Sequence, residues 1–314
     1  MVGLNVMHIH TMLVPYDSGH RGARMGRGPL HFGEHGASHR LRARGHQVSE
    51  ETLDVPAAFP TEVGTSFAVY RSLSERVRAV VAGGGFPLVL AGNCGSSLGT
   101  VSGVRGASPN DGSAADSIGV IWLDAHADFN TPETTTSGFL DGTVLAALTG
   151  RGWGALTASI PGFRPVPDAH VVLVGARDLD AEEERLLASS RVMRVEAARM
   201  RLGGARAALD PALTELARRV SRVYLHIDLD VHEPSEARAN QYAVPGGLAA
   251  GAVRELVRVV AERFSIVAAA LTAYDPSYDD RMLEIGLELM EEIANSCRDW
   301  GLGTGGLGTR PGSS

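Results

Sequence analysis

The chain has 314 residues, of which 44% are hydrophobic and 21% are charged, so it can bury a sizeable core. Its formal net charge of −7 gives no electrostatic reason to bind nucleic acid or an anionic membrane, and no apolar stretch approaches the roughly 18 residues that span a bilayer. Cysteine is scarce, and the N-terminus has no basic segment that leads into a long apolar one. We therefore expect a cytoplasmic protein that acts on a small molecule.

Apolar segments with strand character alternate along the chain with amphipathic segments of helical periodicity. The strand candidates are, in order, "LNVMHIH", "FPLVLAG", "IGVIWLD", "AHVVLVGA", "RVMRVE", "RVYLHID" and "SIVAAALTAYD". Helices are predicted over about 63–82, 205–220, 248–263 and 279–298. This alternation predicts an α/β fold with a parallel sheet and helices on both faces. We expect one domain over residues 1–300 and a disordered Gly-rich tail over 301–314.

The first ligand candidate is Cys94, in the segment "LVLAGNCGSS". A predicted strand ends there at Asn93 and Cys94, before a turn into a helix. In open α/β sheets, ligands bind beyond the carboxyl ends of the strands, which is where Cys94 is expected. The alternative is that Cys94 is a small buried residue, as free cysteines commonly are.

The segment "IWLDAHADFN" carries Asp124, His126 and Asp128 at alternate positions after a predicted buried strand. Because an extended chain points alternate side chains to one face, these three ligand-type groups are expected to converge. Grouped carboxylates repel one another and usually contain a cation. The alternative is that the two aspartates cap the following segment and that His126 is an ordinary loop residue.

A second acidic pair follows another predicted strand in "RVYLHIDLDVHEP", which supplies Asp228 and Asp230. Hard oxygen ligands with one imidazole suit Mn²⁺ best, ahead of Mg²⁺ and Zn²⁺. Four carboxylates and a histidine are enough for two ions, which together can activate a water molecule near neutral pH. His232, two residues beyond Asp230, is a candidate for moving protons or a surface residue.

Taken together, these blocks resemble the ureohydrolase family of arginases and agmatinases, whose pattern is Gly-Gly-x-His, then Asp-x-His-x-Asp, then Asp-x-Asp. The resemblance covers most of the chain, from "VPYDSGHRGARMGRGP" to "YDPSYD". It implies a three-layer α/β/α fold with a parallel sheet of about eight strands, and a homo-oligomer that is a trimer or hexamer. It further implies two Mn²⁺ ions whose bridging hydroxide attacks the carbon of a guanidino or amidine substrate.

The resemblance also implies a ligand set, in which Asp124 and Asp228 bridge the two ions. His126 and Asp230 would complete one site, and Asp128 and Cys94 the other. Cys94 departs from the family, which usually has histidine here. Because a thiolate is softer than imidazole, it would shift this site towards Zn²⁺ or Fe²⁺ and leaves its occupancy open.

Further matches concern the substrate. Asn130 and Ser137, in "NTPETTTSGFLDG", match family contacts to the amino-acid end of the substrate. Asp180 matches the contact to the α-amino group, with Glu183 nearby, although Asp180 is an equally good helix N-cap. The same resemblance implies that His20 and Arg21 line the mouth of the pocket; the alternative is that they are surface residues.

Two positions in the first of these blocks depart from the family. Asp141 stands where the family has a histidine that is thought to shuttle protons, and Phe139 stands where the family has asparagine. The catalytic candidates are thus Asp128, Asp141 and His232.

The segment "LTAYDPSYD" has Ala273 where the family has a glutamate that binds the guanidinium group. A fully charged guanidinium buried without that carboxylate is unfavourable, unless Asp141 or Asp275 substitutes for it. An N-hydroxyguanidine is less basic and could bind neutral. This departure favours Nω-hydroxyarginine over arginine, and a bacterial branch of Nω-hydroxyarginine hydrolases resembles this chain in its metal-site cysteine and its "NTPETT" run.

The leading hypothesis is therefore a two-metal amidinohydrolase that cleaves a guanidino compound to an amine and urea or hydroxyurea. One alternative is a noncatalytic relative that binds a metabolite or a partner subunit. The other is a metal-dependent hydrolase of a different amidine or formimino substrate. The sequence does not choose the substrate, the physiological metal or the oligomeric state.

Overall fold

A computed structural model describes residues 6–56, 61–108 and 117–297. The strands are β1 (His8–Val14), β2 (Tyr16–Asp17), β3 (His20–Arg21), β4 (Gln47–Thr52), β5 (Phe86–Ala91), β6 (Gly119–Leu123), β7 (Val171–Val174), β8 (Met193–Val195), β9 (Arg222–Asp228) and β10 (Ser265–Thr272). Eight of them form one parallel sheet in the order β4-β1-β5-β10-β9-β6-β7-β8. The short strands β2 and β3 pair separately as an antiparallel hairpin.

Helices cover both faces of the sheet. They are α1 (Gly28–Glu34), α2 (Ala37–Ala43), α3 (Glu62–Ala82), α4 (Ser96–Gly106), α5 (Val144–Leu148), α6 (Gly154–Thr157), α7 (Ala181–Ala188), α8 (Ala197–Gly203), α9 (Ala205–Ala217), α10 (Ala250–Arg263) and α11 (Arg281–Ser296). Among the helices of the described residues, none has the length and hydrophobicity needed to cross a bilayer.

The core is divided by the sheet into two layers, because successive strand residues point to opposite faces. In β6, Ile121 and Leu123 belong to one apolar cluster with residues of α1, α2 and α8 to α11. Val120 and Trp122, on the other face, pack with residues of α3, α4, α5 and α7. This arrangement confirms the predicted three-layer α/β/α fold.

Most of the predicted elements are present, with shifted ends. The four predicted helices correspond to α3, α9, α10 and α11, and all seven strand candidates contribute strands, although β1 extends beyond its candidate to Val14. β4 was not predicted, because its residues are mostly exposed and polar at the edge of the sheet. The domain end at 300 and the tail at 301–314 lie outside the described residues and stay predictions.

The topology explains where the site forms. The four central strands lie in the order β5-β10-β9-β6, so their carboxyl ends meet at one edge. Cys94 follows β5, Ala273 follows β10, Asp228 ends β9, and Asp124 follows β6. Segments that are distant in sequence are thus delivered to one small volume.

Candidate metal centre and active site

The described residues contain two groups of metal-ligand side chains whose ligand atoms lie within 4.8 Å of one another. One group is Cys94, Asp124 and Asp228, and the other is Asp124, His126 and Asp230. Asp124 belongs to both. This is the arrangement expected of two neighbouring cation sites that share a bridging carboxylate.

Backbone and side-chain hydrogen bonds orient these carboxylates. Asp124 accepts from the indole Nε1 of Trp122 at 3.0 Å and from the backbone N–H of His126 at 2.7 Å. Asp228 accepts from the backbone N–H of Asp230 at 2.8 Å, and Asp230 accepts from the N–H of Ala125 at 3.2 Å. The turns that follow β6 and β9 therefore fix the positions of the ligand oxygens.

The surroundings of Asp128 best test whether a cation fits this cluster of carboxylates. It is buried in a left-handed backbone conformation with φ of 49°, and its Oδ2 has no hydrogen-bond partner in the described structure. Burial, together with the charges of Asp124, Asp141 and Asp228, raises its pKa well above the usual value. A buried, unpartnered carboxylate oxygen among three other carboxylates is what a divalent cation would satisfy, so the donor set fits the metal centre.

Cys94 lies beside this cluster and is fully buried. Its Sγ is 3.0 Å from Asp228 Oδ2 and 3.2 Å from Thr272 Oγ1. Burial and the neighbouring carboxylates raise the pKa of its thiol well above the usual value. The side chain is buried, as expected of a structural cysteine, and it also reaches the carboxylates, as a metal ligand must.

Asp141 is tied to the turn that carries Cys94. Its Oδ2 accepts from Asn93 Nδ2 at 2.9 Å and from the N–H of Cys94 at 3.0 Å, and its Oδ1 accepts from the N–H of Gly95 at 2.8 Å. Burial raises its pKa to about 7, although the backbone hydrogen bonds oppose that shift. Asp141 therefore supports the cysteine turn in addition to facing the cavity.

A cavity of about 570 Å³ opens above the donor groups. Its walls include most of the residues singled out from the sequence, namely His20, Cys94, His126, Asp128, Asn130, Ser137, Asp141, Asp180, Glu183, Asp228 and Asp230. Asp124 lies beneath it and is 1% exposed. The site is therefore a concave pocket with the ligand cluster at its base.

Asp180 serves two purposes in the structure. It forms a capping box at the start of α7 with Glu183, and it also lines the cavity, where it accepts from Asn130 Nδ2 at 3.1 Å. Glu183 in turn accepts from the N–H of Phe129 at 2.8 Å. The two interpretations of Asp180, helix cap and site residue, are therefore compatible.

His232 lies away from the cavity. It is 1% exposed, its Nδ1 is 2.9 Å from the carbonyl oxygen of Leu229, and it is not among the described residues that line the pocket. Burial lowers its pKa, which favours the neutral imidazole. Its role in moving protons stays a prediction to which this geometry adds no support.

Several cavity residues were not found from the sequence. Arg24 and Met25 lie in a short 3-10 helix immediately before α1, Glu62 starts α3, and Asn240 and Tyr242 lie in the loop after β9. The segment of Arg24 was itself expected at the site: His20 of this segment lines the cavity, whereas Arg21 is not among the described residues that do. The others have no local signal, because only tertiary folding brings their loops to the pocket.

A model of the arginase family matches residues 8–295. The chain belongs to the arginase family. It is 34% identical to an arginase of Bacillus caldovelox over 210 residues, which are 67% of this chain and 68% of that relative. It is 32% identical to the N(omega)-hydroxy-L-arginine amidinohydrolase of Streptomyces lavendulae over 232 residues, which are 71% of this chain and 74% of that relative.

The fold agrees with this assignment. The crystal structure of arginase from Bacillus subtilis superposes with a TM-score of 0.82 at 26% identity, covering 91% of this chain and 98% of that one. The predicted resemblance and the predicted enzyme class, a hydrolase of linear amidines, are therefore confirmed. Enzymes of the arginase family depend on two metal ions, and the described residues offer two groups that could hold them.

One departure from the arginase pattern is visible in the cavity wall. Ala273 lines the pocket with φ of 62°, and its carbonyl oxygen accepts from Asn240 Nδ2 at 2.8 Å. Asp275, a possible substitute for the missing glutamate, is bound to Arg27 at 2.8 Å and is not among the described residues that line the pocket. The cavity wall thus has a methyl group at the position where the resemblance implies a carboxylate.

Proposed function

We propose that the protein is a two-metal amidinohydrolase that cleaves the C–N bond of a weakly basic guanidino compound, with Nω-hydroxyarginine preferred over arginine. The observation that carries the proposal is the pair of donor groups sharing Asp124 at the base of the cavity. Asp124 and Asp228 would hold both ions, His126 and Asp230 one, and Cys94 and Asp128 the other. When bound, such a pair of ions supplies an activated water as the nucleophile near neutral pH.

We assign Mn²⁺ as the metal, because the donor set consists mainly of hard carboxylate oxygens. The sulfur of Cys94 makes its own site softer, which favours Zn²⁺ or Fe²⁺ there more than the second group does. The proposal therefore expects the two sites to differ in their metal preference.

The chain also supplies groups that can handle protons. Cleavage of a guanidine by water gives an amine and a urea, so the leaving nitrogen must gain a proton. Asp141 lines the cavity, and burial raises its pKa to about 7, which suits a group that exchanges protons near neutrality. The unpartnered Oδ2 of Asp128 is available to a cation or to a proton of the attacking water.

The substrate preference follows from the missing carboxylate. A guanidinium ion buried next to Ala273 has no charged partner at that position, and Asp275 is already paired with Arg27. The oxygens of Asp141 already accept three hydrogen bonds. Because burying an unpaired cation is costly, a guanidine that binds in its neutral form is favoured. The Streptomyces lavendulae relative is named for such a compound.

The amino-acid end of the substrate would lie against a polar part of the cavity wall. Asn130, Ser137, Asp180 and Glu183 line the cavity, and Asp178 adds another carboxylate. An ammonium group is attracted by these acidic side chains, whereas Asn130 and Ser137 offer neutral polar groups. We therefore propose an α-amino acid substrate over a simple alkylguanidine.

A substrate panel tests the proposal. Protein reconstituted with Mn²⁺ would be assayed with Nω-hydroxyarginine, arginine, agmatine and formiminoglutamate, and the released amine or urea would be measured. We expect turnover of Nω-hydroxyarginine to exceed that of arginine, and we expect Asp128→Ala and Asp230→Ala to abolish it while the circular dichroism spectrum is retained. Turnover of formiminoglutamate alone would support the other hydrolase, and no turnover with both metals bound would support the noncatalytic relative.

The remaining expectations are also part of the proposal. We propose a homo-oligomer, trimer or hexamer, that works in the cytoplasm on a small guanidino molecule. Light scattering after size exclusion measures the oligomeric state directly, and a monomer at working concentration would contradict that part alone.

A further inference from the structure

A row of polar side chains lies behind Cys94 in the protein interior. Tyr224 and His226 come from β9, and Thr272 comes from β10. Each is at most 1% exposed, and Cys94 is also 1% exposed. Polar groups buried this completely are expensive unless they are hydrogen bonded, so their contacts are informative.

The four side chains form a continuous chain of contacts. Tyr224 Oη is 2.9 Å from His226 Nδ1, His226 Nε2 is 3.3 Å from Thr272 Oγ1, and Thr272 Oγ1 is 3.2 Å from Cys94 Sγ. The sulfur is the end of the chain that reaches the donor cluster, since it also lies 3.0 Å from Asp228 Oδ2.

The hydrogen-bond chain has a preferred direction. The fully buried hydroxyl of Tyr224 has Nδ1 of His226 as its described partner, so it donates to Nδ1. The imidazole proton then lies on Nε2 and is donated to Thr272 Oγ1. The hydroxyl of Thr272 can in turn donate to Cys94 Sγ at 3.2 Å, which is nearer than its other acceptor, the carbonyl oxygen of Ile227 at 3.4 Å.

This direction suits a sulfur that binds a cation. A cysteine that ligates a metal does so as a thiolate, which accepts hydrogen bonds and donates none. A donor behind the sulfur therefore fixes its position without competing for the lone pair that faces the metal.

Packing around His226 restrains the hydrogen-bond chain. The ring of His226 stacks on Trp122 with centroids 3.6 Å apart and planes at 14°, and Trp122 donates to Asp124, which belongs to both donor groups. In the sheet, His226 pairs with Trp122 and Thr272 pairs with Asp228. The register of three central strands thus sets the orientation of both Cys94 and Asp124.

We propose that Tyr224, His226 and Thr272 are positioning residues that hold the sulfur of Cys94 as a metal ligand through a directed hydrogen-bond chain. The inference rests on the proposed function only in taking Cys94 as a ligand. It gives a role to a buried histidine and tyrosine that the hydrolytic mechanism does not use.

Titration with Co²⁺ tests the proposal, because Co²⁺ bound to a thiolate gives a charge-transfer band in the near ultraviolet. The second donor group contains no sulfur, so the band reports on the Cys94 site alone. Thr272→Val removes the hydroxyl with little change in volume. We expect it to weaken Co²⁺ binding at the Cys94 site by about 10- to 100-fold and to shift the band, with binding at the other site unchanged.

Three controls make the result specific. Thr272→Ser keeps the hydroxyl and should restore the band and most of the affinity. Thr11→Val makes the same exchange at a buried threonine on β1 whose hydroxyl has no hydrogen-bond partner in the described structure, and should change neither. In a Cys94→Ala background, Thr272→Val should have no further effect on Co²⁺ binding.

The possible failures are distinguishable. A charge-transfer band and an affinity that are unaltered in Thr272→Val would overturn the positioning chain while leaving Cys94 a ligand. Absence of the band in the wild type at full Co²⁺ occupancy would remove Cys94 from the proposed metal centre. If Thr272→Val does not fold, Tyr224→Phe removes only the far hydroxyl, and an unaltered band and affinity in that variant would overturn the chain.

Discussion

At the scale of single residues, Asp141 combines two tasks that a substitution can separate. Its two oxygens accept three hydrogen bonds from the turn that carries Cys94, and it faces the cavity. In Asp141→Asn one oxygen becomes an NH₂ group that must face another N–H donor. We expect kcat to fall by about 10²- to 10⁴-fold, the range for loss of a general acid, and the metal site of Cys94 to weaken as well.

Steady-state kinetics together with the Co²⁺ band check this prediction. Glu62→Gln is the control, because the exposed Glu62 also lines the cavity but forms no described hydrogen bond with the turns of the metal site. Activity of Asp141→Asn within a few-fold of the wild type would contradict both roles of Asp141, in proton transfer and in support of the Cys94 turn. Loss of kcat with a normal Co²⁺ band would leave only the role in proton transfer.

Phe139 is a second residue at which the cavity departs from the arginase pattern. Its ring stacks on that of Tyr242 with centroids 5.4 Å apart and planes at 26°, and both line the pocket. Phe139→Asn replaces an apolar wall with an amide that can bond to a substrate carboxylate. We expect kcat/KM for Nω-hydroxyarginine, relative to its decarboxylated analogue, to rise about 10-fold, the worth of one hydrogen bond to a charged group.

Competition between the two substrates measures this ratio directly. Phe139→Leu removes the stacked ring without adding an amide and should leave the ratio unchanged. Equal effects of the two substitutions would mean that the wall affects access to the pocket and does not select the carboxylate.

At the scale of secondary-structure elements, the helices that cover the sheet are joined by partly buried ion pairs that the sequence does not reveal. Glu291 on α11 is 7% exposed and accepts from Arg40 Nε at 2.5 Å and Arg44 Nη2 at 2.5 Å. Burial favours the protonated form, but the hydrogen bonds from the two arginines outweigh it and lower the pKa of Glu291. We expect Glu291→Gln to lower the free energy of unfolding by about 1 to 3 kcal/mol at pH 7.

The pH dependence has a definite sign. Because the pKa of Glu291 is lower in the folded state, its contribution is present above the unfolded value of about 4.3 and is lost as the pH falls below it. Urea unfolding at pH 7 and pH 3 should therefore show a smaller difference between wild type and Glu291→Gln at the lower pH. Glu284→Gln is the control: Glu284 also binds Arg40, but its side chain is 59% exposed and should contribute less than about 1 kcal/mol.

How far the sequence predicts these elements depends on which physical pattern each one carries. Buried parallel strands such as β6 are continuous apolar runs, so they were predicted, and so were the metal-ligand candidates that follow them. β4 was missed because its exposed edge position removes the apolar pattern. The stacked pair of Phe139 and Tyr242 and the chain behind Cys94 were missed because they depend on side chains from separate strands or loops, which only the register of the folded sheet brings together.

At the scale of the whole molecule, the carboxylate cluster links stability to metal binding. Four aspartates of the proposed metal centre, Asp124, Asp128, Asp228 and Asp230, are buried, and burial together with mutual repulsion raises the pKa of Asp124, Asp128 and Asp228. Ions that bind only the folded chain stabilise it by mass action, by about 2.7 kcal/mol when their concentration is 100 times Kd. We expect Mn²⁺ to raise Tm and a chelator to reverse the change.

The same cluster predicts that one ligand substitution stabilises the metal-free chain. Asp128→Asn removes a buried charge whose Oδ2 has no hydrogen-bond partner in the described structure, so it should raise the free energy of unfolding of chelated protein by about 1 to 3 kcal/mol at pH 7. Because the folded-state pKa of Asp128 is raised, its penalty develops as the pH rises above the unfolded value of about 3.9. The increase in the free energy of unfolding of Asp128→Asn over the wild type should therefore become smaller towards pH 4.

Thermal unfolding in chelator, repeated with Mn²⁺, measures both effects of Asp128→Asn. The variant should have a higher Tm than the wild type in chelator, and its Tm should rise less when Mn²⁺ is added. A lower Tm in chelator would mean that Asp128 is held by interactions other than those of a cation site.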